Sequence, residues 1–315
     1  MRSRTRWAAL LVTLLAMFGS LVGCSGSLTA IEASGRASSQ QAAASQPGIG
    51  EPQAVSARKS AFTPNGPVVA LGDSYTAGLL LPLDSSAKPV GCFRSTVNYA
   101  SRVADALHAK QYANAACQSA GVVSLNHAAQ TADGINPPQL NSLAADDSLV
   151  MMSLGGDDLN FSHVLKGCMN PFGRPCQDHY WYLNQQISAE KPKMIAALNE
   201  IHRKAPHARV LLLGYPDLFP ASGGCWPIAP FSTTSIAFLR SSELKLNAML
   251  AQAASATGTA YVDTYGATTG HDMCQGSQVK DVEGLIPSST AMSFHPNARG
   301  QAAMADQVLA TLGYR

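Results

Sequence analysis

Along the chain, short runs of consecutive apolar residues alternate with longer stretches in which apolar positions recur every three or four residues. Val68-Val69-Ala70-Leu71 is too short and too uniformly apolar for a surface helix and reads as a buried strand. Leu149 to Leu154, Arg209 to Gly214 and Ala260 to Asp263 have the same character, and Tyr112 to Cys117 is a further strand candidate. Helical spacing is found over Val97–Lys110, where Tyr99, Val103 and Leu107 share a face. It recurs over Tyr182–Lys204, with Ile187, Met194, Ile195, Leu198 and Ile201 on one stripe and Pro192 as a kink or a second start. Ser235–Ser255 and Asn297–Leu312 are the remaining helices. Strands that alternate with helices predict an α/β fold: a parallel sheet covered on both faces, in three α/β/α layers. Functional groups of such sheets gather at the carboxyl ends of the strands. Met151 and Met152 fall within a predicted strand and are expected in the core rather than in a binding groove.

The first residues break this texture. Arg2, Arg4 and Arg6 precede an apolar run from Trp7 to about Val22, shorter than a comfortable membrane-spanning helix. This is the layout of a secretion leader over residues 1–23. Leu21-Val22-Gly23-Cys24 resembles the bacterial lipobox, which implies acylation of Cys24 and anchorage of the exported chain to the outer face of the cell membrane or envelope. Residues 24–64 are rich in Ala, Ser, Gln and Gly without a hydrophobic period and read as a flexible tether, whose mean span would be about 35 Å. The folded domain is expected over residues 65–315.

Composition narrows the function. The chain of 315 residues is 46% hydrophobic and only 13% charged, enough to bury a sizeable core. Its formal charge of +2 loses three positive charges with the leader, leaving about −1. No basic surface for nucleic acid is indicated. Beyond Cys24, six cysteines remain. An even number in an exported chain predicts three disulfides, and sequential pairing (Cys92–Cys117, Cys168–Cys176, Cys225–Cys274) would close local loops. No CxxC pair occurs, so neither zinc nor another metal is expected.

The chemistry begins after the first strand, with Gly72-Asp73-Ser74-Tyr75-Thr76-Ala77-Gly78. A serine just past a strand end, before a helix start, can present its Oγ as a nucleophile while its own N–H faces the resulting oxyanion. A helix N-cap is the structural alternative for that serine. The segment resembles the first block of the SGNH/GDSL hydrolases, especially extracellular actinobacterial lipases and esterases with three disulfides. Gly155-Gly156-Asp157-Asp158-Leu159-Asn160-Phe161 is similar to the third block, commonly G-G-N-D, and Ser293-Phe294-His295-Pro296-Asn297-Ala298-Arg299-Gly300 to the last, F-H-P-N-x-x-G. The resemblance spans Val68 to the C-terminus. It implies a flavodoxin-like, mostly parallel five-stranded sheet, Ser74 as nucleophile and His295 as general base. His271 is the rival histidine, in a segment that resembles a structural loop beside a disulfide.

Two departures from the family pattern bear on mechanism. The Asp three residues before the family histidine is Met292 here, so the Met292 carbonyl is expected to orient the His295 ring, with Asp281 or Glu283 as substitutes. The family oxyanion Asn aligns with Asp157, which can donate only if protonated; otherwise Asn160 or water would replace it. A family Gly donating its backbone N–H aligns with Ser119, or with Gly121 if the loop is shifted. The resemblance therefore implies a serine esterase or lipase without cofactor, acting as a monomer on lipid or acylated-glycan esters at the envelope. A polysaccharide O-acetyl esterase, and a weakened domain that only binds an envelope ligand, are the alternatives.

Overall fold

A computed structural model describes residues 61–169 and 176–314. The leader, Cys24 and most of the tether lie outside the described residues. The tether's last residues do not: the Phe62 N–H donates to the Leu312 carbonyl at 2.9 Å, and the Tyr314 hydroxyl donates to the Phe62 carbonyl, so Phe62 is tied to the fold rather than to a linker.

Among the described residues, seven strands and eight α-helices follow in chain order: β1 Val68–Gly72, α1 Ser74–Ala77, α2 Tyr99–Ala106, β2 Tyr112–Asn114, α3 Val123–Asn126, β3 Ala129–Thr131, β4 Gly134–Asn136, β5 Leu149–Ser153, α4 Phe161–Cys168, α5 Tyr180–Lys204, β6 Arg209–Leu213, α6 Thr233–Thr257, β7 Ala260–Val262, α7 Thr264–Thr268 and α8 Ala298–Thr311. The main sheet has the order β2-β1-β5-β6-β7, with every pairing parallel, as a flavodoxin-like sheet requires. β3 and β4 form a separate antiparallel hairpin.

Alternation along each strand divides the core in two. Val69, Leu71, Val150, Met152, Val210 and Leu212 join one cluster with the apolar stripes of α5 and α6. Val68, Ala70, Leu149, Met151, Leu211 and Leu213 join the other with α2 and α8. Both faces of the sheet are thus covered, which is why these strands are uniformly apolar. α5 is one helix of 25 residues running through Pro192, not two.

All three disulfides are present, in the sequential pairing. Such crosslinks belong to an exported chain rather than to a reducing compartment.

Candidate active site

The sheet delivers the ends of β1, β5 and β6 to one edge, and the loops leaving them build the site. At the end of β1, Gly72 has φ of +140°, and a Cβ there would meet the Ser153 carbonyl oxygen at 2.3 Å, so a side chain is excluded. The tight exit turns Asp73 into the N-cap of the one-turn helix α1, its Oδ1 accepting from the Tyr75 N–H at 2.9 Å. Ser74 is thereby the first residue of that turn. Its N–H has no protein acceptor among the described residues.

His295 arrives from the opposite end of the chain. Asn297 caps α8 by accepting from the N–H groups of Arg299 and Gly300, which fixes the histidine just ahead of the helix. Ser74 Oγ lies 2.8 Å from His295 Nε2, and His295 Nδ1 lies 2.9 Å from the Ser293 carbonyl oxygen. A carbonyl can only accept, so Nδ1 carries the proton and Nε2 is left to accept from the serine hydroxyl.

The ring acceptor is therefore Ser293, not Met292. The Met292 carbonyl is taken by the backbone N–H of His295 at 3.1 Å, closing a turn. Phe294, at the centre of that turn, has φ of +62°, which swings the Ser293 carbonyl back under the ring. Neither candidate carboxylate reaches the ring. Asp281 faces Arg299 at 3.6 Å and His271 at 3.7 Å. Glu283 is buried and pairs with buried Lys280 at 2.7 Å. It also accepts from the Ser288 N–H, the Ser289 hydroxyl and the Asn297 amide. These bonds outweigh the cost of burial and hold its carboxyl at about 2. Its backbone pairs with the His295 segment: the Glu283 N–H donates to the His295 carbonyl, and the Phe294 N–H donates to the Glu283 carbonyl. His271 bonds the Val279 carbonyl at 2.7 Å, away from Ser74.

Two tyrosines that sequence reasoning missed knit the site. The Tyr215 hydroxyl accepts from the Gly156 N–H at 2.8 Å and donates to Asp73 Oδ2 at 2.5 Å, so one phenol joins the ends of β1, β5 and β6. Tyr75 donates to the Phe294 carbonyl at 2.6 Å and stacks at a tilt against the His295 ring, 4.8 Å between centroids. A position just past a strand was the one available signal for either residue.

Burial dominates the electrostatics. It lowers His295 from 6.5 to about 4, only partly countered by the Ser293 bond. It raises the Asp73 carboxyl, with a further push from Asp157. Asp157 is raised to about 6 by burial and then by the charge of Asp158; Asp158 is raised to about 6 by burial and then by Glu190.

Ser74, His295 and Asp157 share the wall of a cavity of about 320 Å³, whose apolar lining includes Phe161, Leu165, Leu218, Leu246, Leu285 and Met292. Met151 and Met152 are fully buried and do not line it. The Asp157 carboxyl has no hydrogen-bond partner among the described residues. Asn160 is exposed at the start of α4 and is not part of the lining. Neither Ser119 nor Gly121 lines the cavity. Ser119 holds φ of +59°, the left-handed backbone usual for glycine, and its N–H has no protein acceptor among the described residues. Gly121 sits against the Asp158 carboxylate, which accepts from the next N–H, that of Val122, at 3.0 Å.

Comparison with known proteins agrees with this geometry. Residues 70–303 match the sequence model of the GDSL-like Lipase/Acylhydrolase family. The chain is 34% identical to Lipase 2 of Streptomyces coelicolor over 269 residues, covering 80% of this chain and 87% of that protein. Among solved structures, the extracellular lipase of Streptomyces rimosus aligns with a TM-score of 0.64 at 25% identity, over 78% of this chain and 98% of that one. Phospholipase A1 of Streptomyces albidoflavus NA297 aligns equally well, with a TM-score of 0.64 at 24% identity and the same coverage.

Proposed function

This chain belongs to the GDSL-like lipase/acylhydrolase family, and from that premise we propose that Ser74 is its nucleophile and His295 its general base. The protein is a carboxylic ester hydrolase. The observation that carries the residue assignment is the 2.8 Å contact between Ser74 Oγ and His295 Nε2 on the wall of an apolar cavity.

The reaction follows from the proton positions. Ser74 Oγ attacks the ester carbonyl and its proton passes to His295 Nε2, while Nδ1–H remains on the Ser293 carbonyl. The oxyanion is met by the N–H of Ser74, which has no protein acceptor among the described residues; Ser119, whose N–H is likewise without one but lies outside the cavity lining, is the candidate second donor. Asp157 adds a third donor when protonated and opposes the oxyanion when ionised. The imidazolium then gives its proton to the leaving alkoxide. Water, activated by the same nitrogen, releases the acyl group from Ser74. A main-chain carbonyl fixes the tautomer but stabilises the imidazolium less than a carboxylate does, which sets a modest turnover.

The lining favours an apolar acyl chain over an acetyl group, whose two carbons would leave most of such a cavity empty. The substrate is accordingly a lipid ester. The sequence of the leader, Cys24 and tether supports anchorage through two acyl chains to the outer face of the cell membrane. Hydrolysis of p-nitrophenyl esters of increasing chain length tests the reading. Turnover that grows beyond acetate and vanishes in Ser74→Ala is expected; preference for acetate would favour an O-acetyl esterase, and turnover retained in Ser74→Ala would overturn the assignment.

A further inference from the structure

The cavity opens between loops that expose apolar side chains. Leu80 is 47% exposed, Ile286 63% and Met292 41%, with Leu285 beside them. Leu285 and Met292 also line the cavity, so its interior and this outer rim are one continuous apolar surface. The rim is preformed. The Met292 N–H donates to the Leu79 carbonyl at 3.2 Å and the Leu285 N–H to the Ile228 carbonyl at 2.7 Å, so three loops are tied edge to edge. Leu80 holds φ of +63°. A leucine in left-handed backbone, aimed at water, costs strain and exposure together, where glycine or asparagine would relieve both.

The stretches of these loops that form the rim are uncharged: Gly78–Leu83, Cys225–Phe231 and Gly284–Phe294 carry only apolar, Gly, Pro, Ser and Thr side chains. Among the charged side chains lining the cavity, Lys166 alone is exposed. A partner bound by charge would find almost nothing to hold here. A hydrocarbon surface would find a ready footing, and an acyl chain leaving it would pass directly over Met292 and Leu285 toward Ser74.

We propose that this rim, with Leu80 and Ile286 as its anchors, seats the enzyme on the surface of a lipid aggregate by apolar insertion, so that substrate enters the cavity without crossing water. The proposal rests on the esterase reading of the cavity. Insertion of a few large side chains gives reversible, salt-insensitive adsorption.

The test separates docking from chemistry. The chain from Ser25 to Arg315 keeps both cores and all three disulfides and omits Cys24, so no lipid anchor contributes. Its Ser74→Ala form is sedimented with phosphatidylcholine vesicles at low and at high sodium chloride. Partitioning that survives high salt, and falls at least about ten-fold in Leu80→Asn/Ile286→Ser, is expected. The same double substitution with Ser74 intact should leave hydrolysis of a water-soluble short ester unchanged. No partitioning, partitioning abolished by salt, or partitioning unaffected by the double substitution would overturn the proposal. So would a concentration-dependent dimer, seen by light scattering, that the double substitution dissolves. Failure of the esterase reading would show separately, as absent turnover of the soluble ester.

Discussion

The ring of His295 is held through Nδ1 by the main-chain oxygen of Ser293, 2.9 Å away, and by no carboxylate among the described residues. With burial unopposed by a negative partner, the imidazole stays neutral down to about pH 4. On the mechanism proposed here the neutral ring is the base, so the acid limb of kcat/KM is expected near pH 4 rather than near 6.5. A pH–rate profile on a soluble ester checks this; an acid limb at 6.5 would mean that the resting ring is not desolvated as described.

Asp157 acts on the other limb. Its carboxyl, held at about 6, is a donor below that pH and a negative charge above it. Activity is expected to fall as pH rises through 6, because the ionised side chain shares the cavity wall with Ser74 and would oppose the developing oxyanion. Asp157→Asn keeps a donor at every pH, so it should raise kcat at pH 8 by about ten- to a hundred-fold and change it little at pH 5. An equal effect at both values would show that Asp157 does not face the oxyanion.

Glu283 positions the histidine segment through its backbone while its carboxylate is committed to Lys280 at 2.7 Å, both side chains being buried. Glu283→Gln leaves a buried ammonium without its counter-charge and should cost about 3–5 kcal/mol in denaturant unfolding. Lys280→Met in the same chain should restore much of the loss. A double variant as unstable as the single one would show that the uncompensated charge is not the cause.

Tyr215→Phe removes one hydroxyl and strands two groups, the Gly156 N–H and Asp73 Oδ2. The part-buried Gly156 N–H left without a partner, together with buried Asp73, should cost about 1–3 kcal/mol of stability. Turnover should fall as well, because the ends of β1, β5 and β6 lose their common tie. Loss of stability without loss of turnover would confine the phenol to a structural role.

The fold was legible where burial is two-sided. The apolar run Val68–Leu71 and the helical stripe through Ile187, Met194 and Leu198 follow from the period of the structure that buries them. Helix α4 and the β3–β4 hairpin escaped, because eight residues and two runs of three carry too little pattern to rise above a loop. That Ser74 and His295 would meet was legible because their neighbours form recognisable blocks at strand and helix ends. The carbonyl that orients His295 was misplaced by one residue: Phe294 adopts a left-handed turn, which a phenylalanine does not advertise. Tyr215 offered no signal beyond its place just past a strand, for a different reason. Its partners lie on strands far apart in sequence, and only the register of the sheet brings them to one phenol.

The same buried carboxyls that tune the site tie stability to pH. Asp73, Asp157 and Asp158 are all raised above their ordinary value of 3.8 in the fold. Between the unfolded and folded values the native state binds more protons than the unfolded chain, so their contribution is fully present below about pH 4 and is lost as pH rises through the folded values. His295 works the other way: its folded value of about 4 makes the native state the less protonated one below 6.5. Three carboxyls outweigh one imidazole, so stability should be greater at pH 5 than at pH 8. Glu283, held at about 2, reverses the trend only under stronger acid. Thermal unfolding of Ser74→Ala across this range measures the slope. Asp157→Asn in that background should flatten it near pH 6, since one of the three titrating groups is gone. A melting temperature that rises steadily from pH 5 to 8 would mean that these carboxyls are ionised in the fold, and the account of Asp157 as a protonated donor would fall with them.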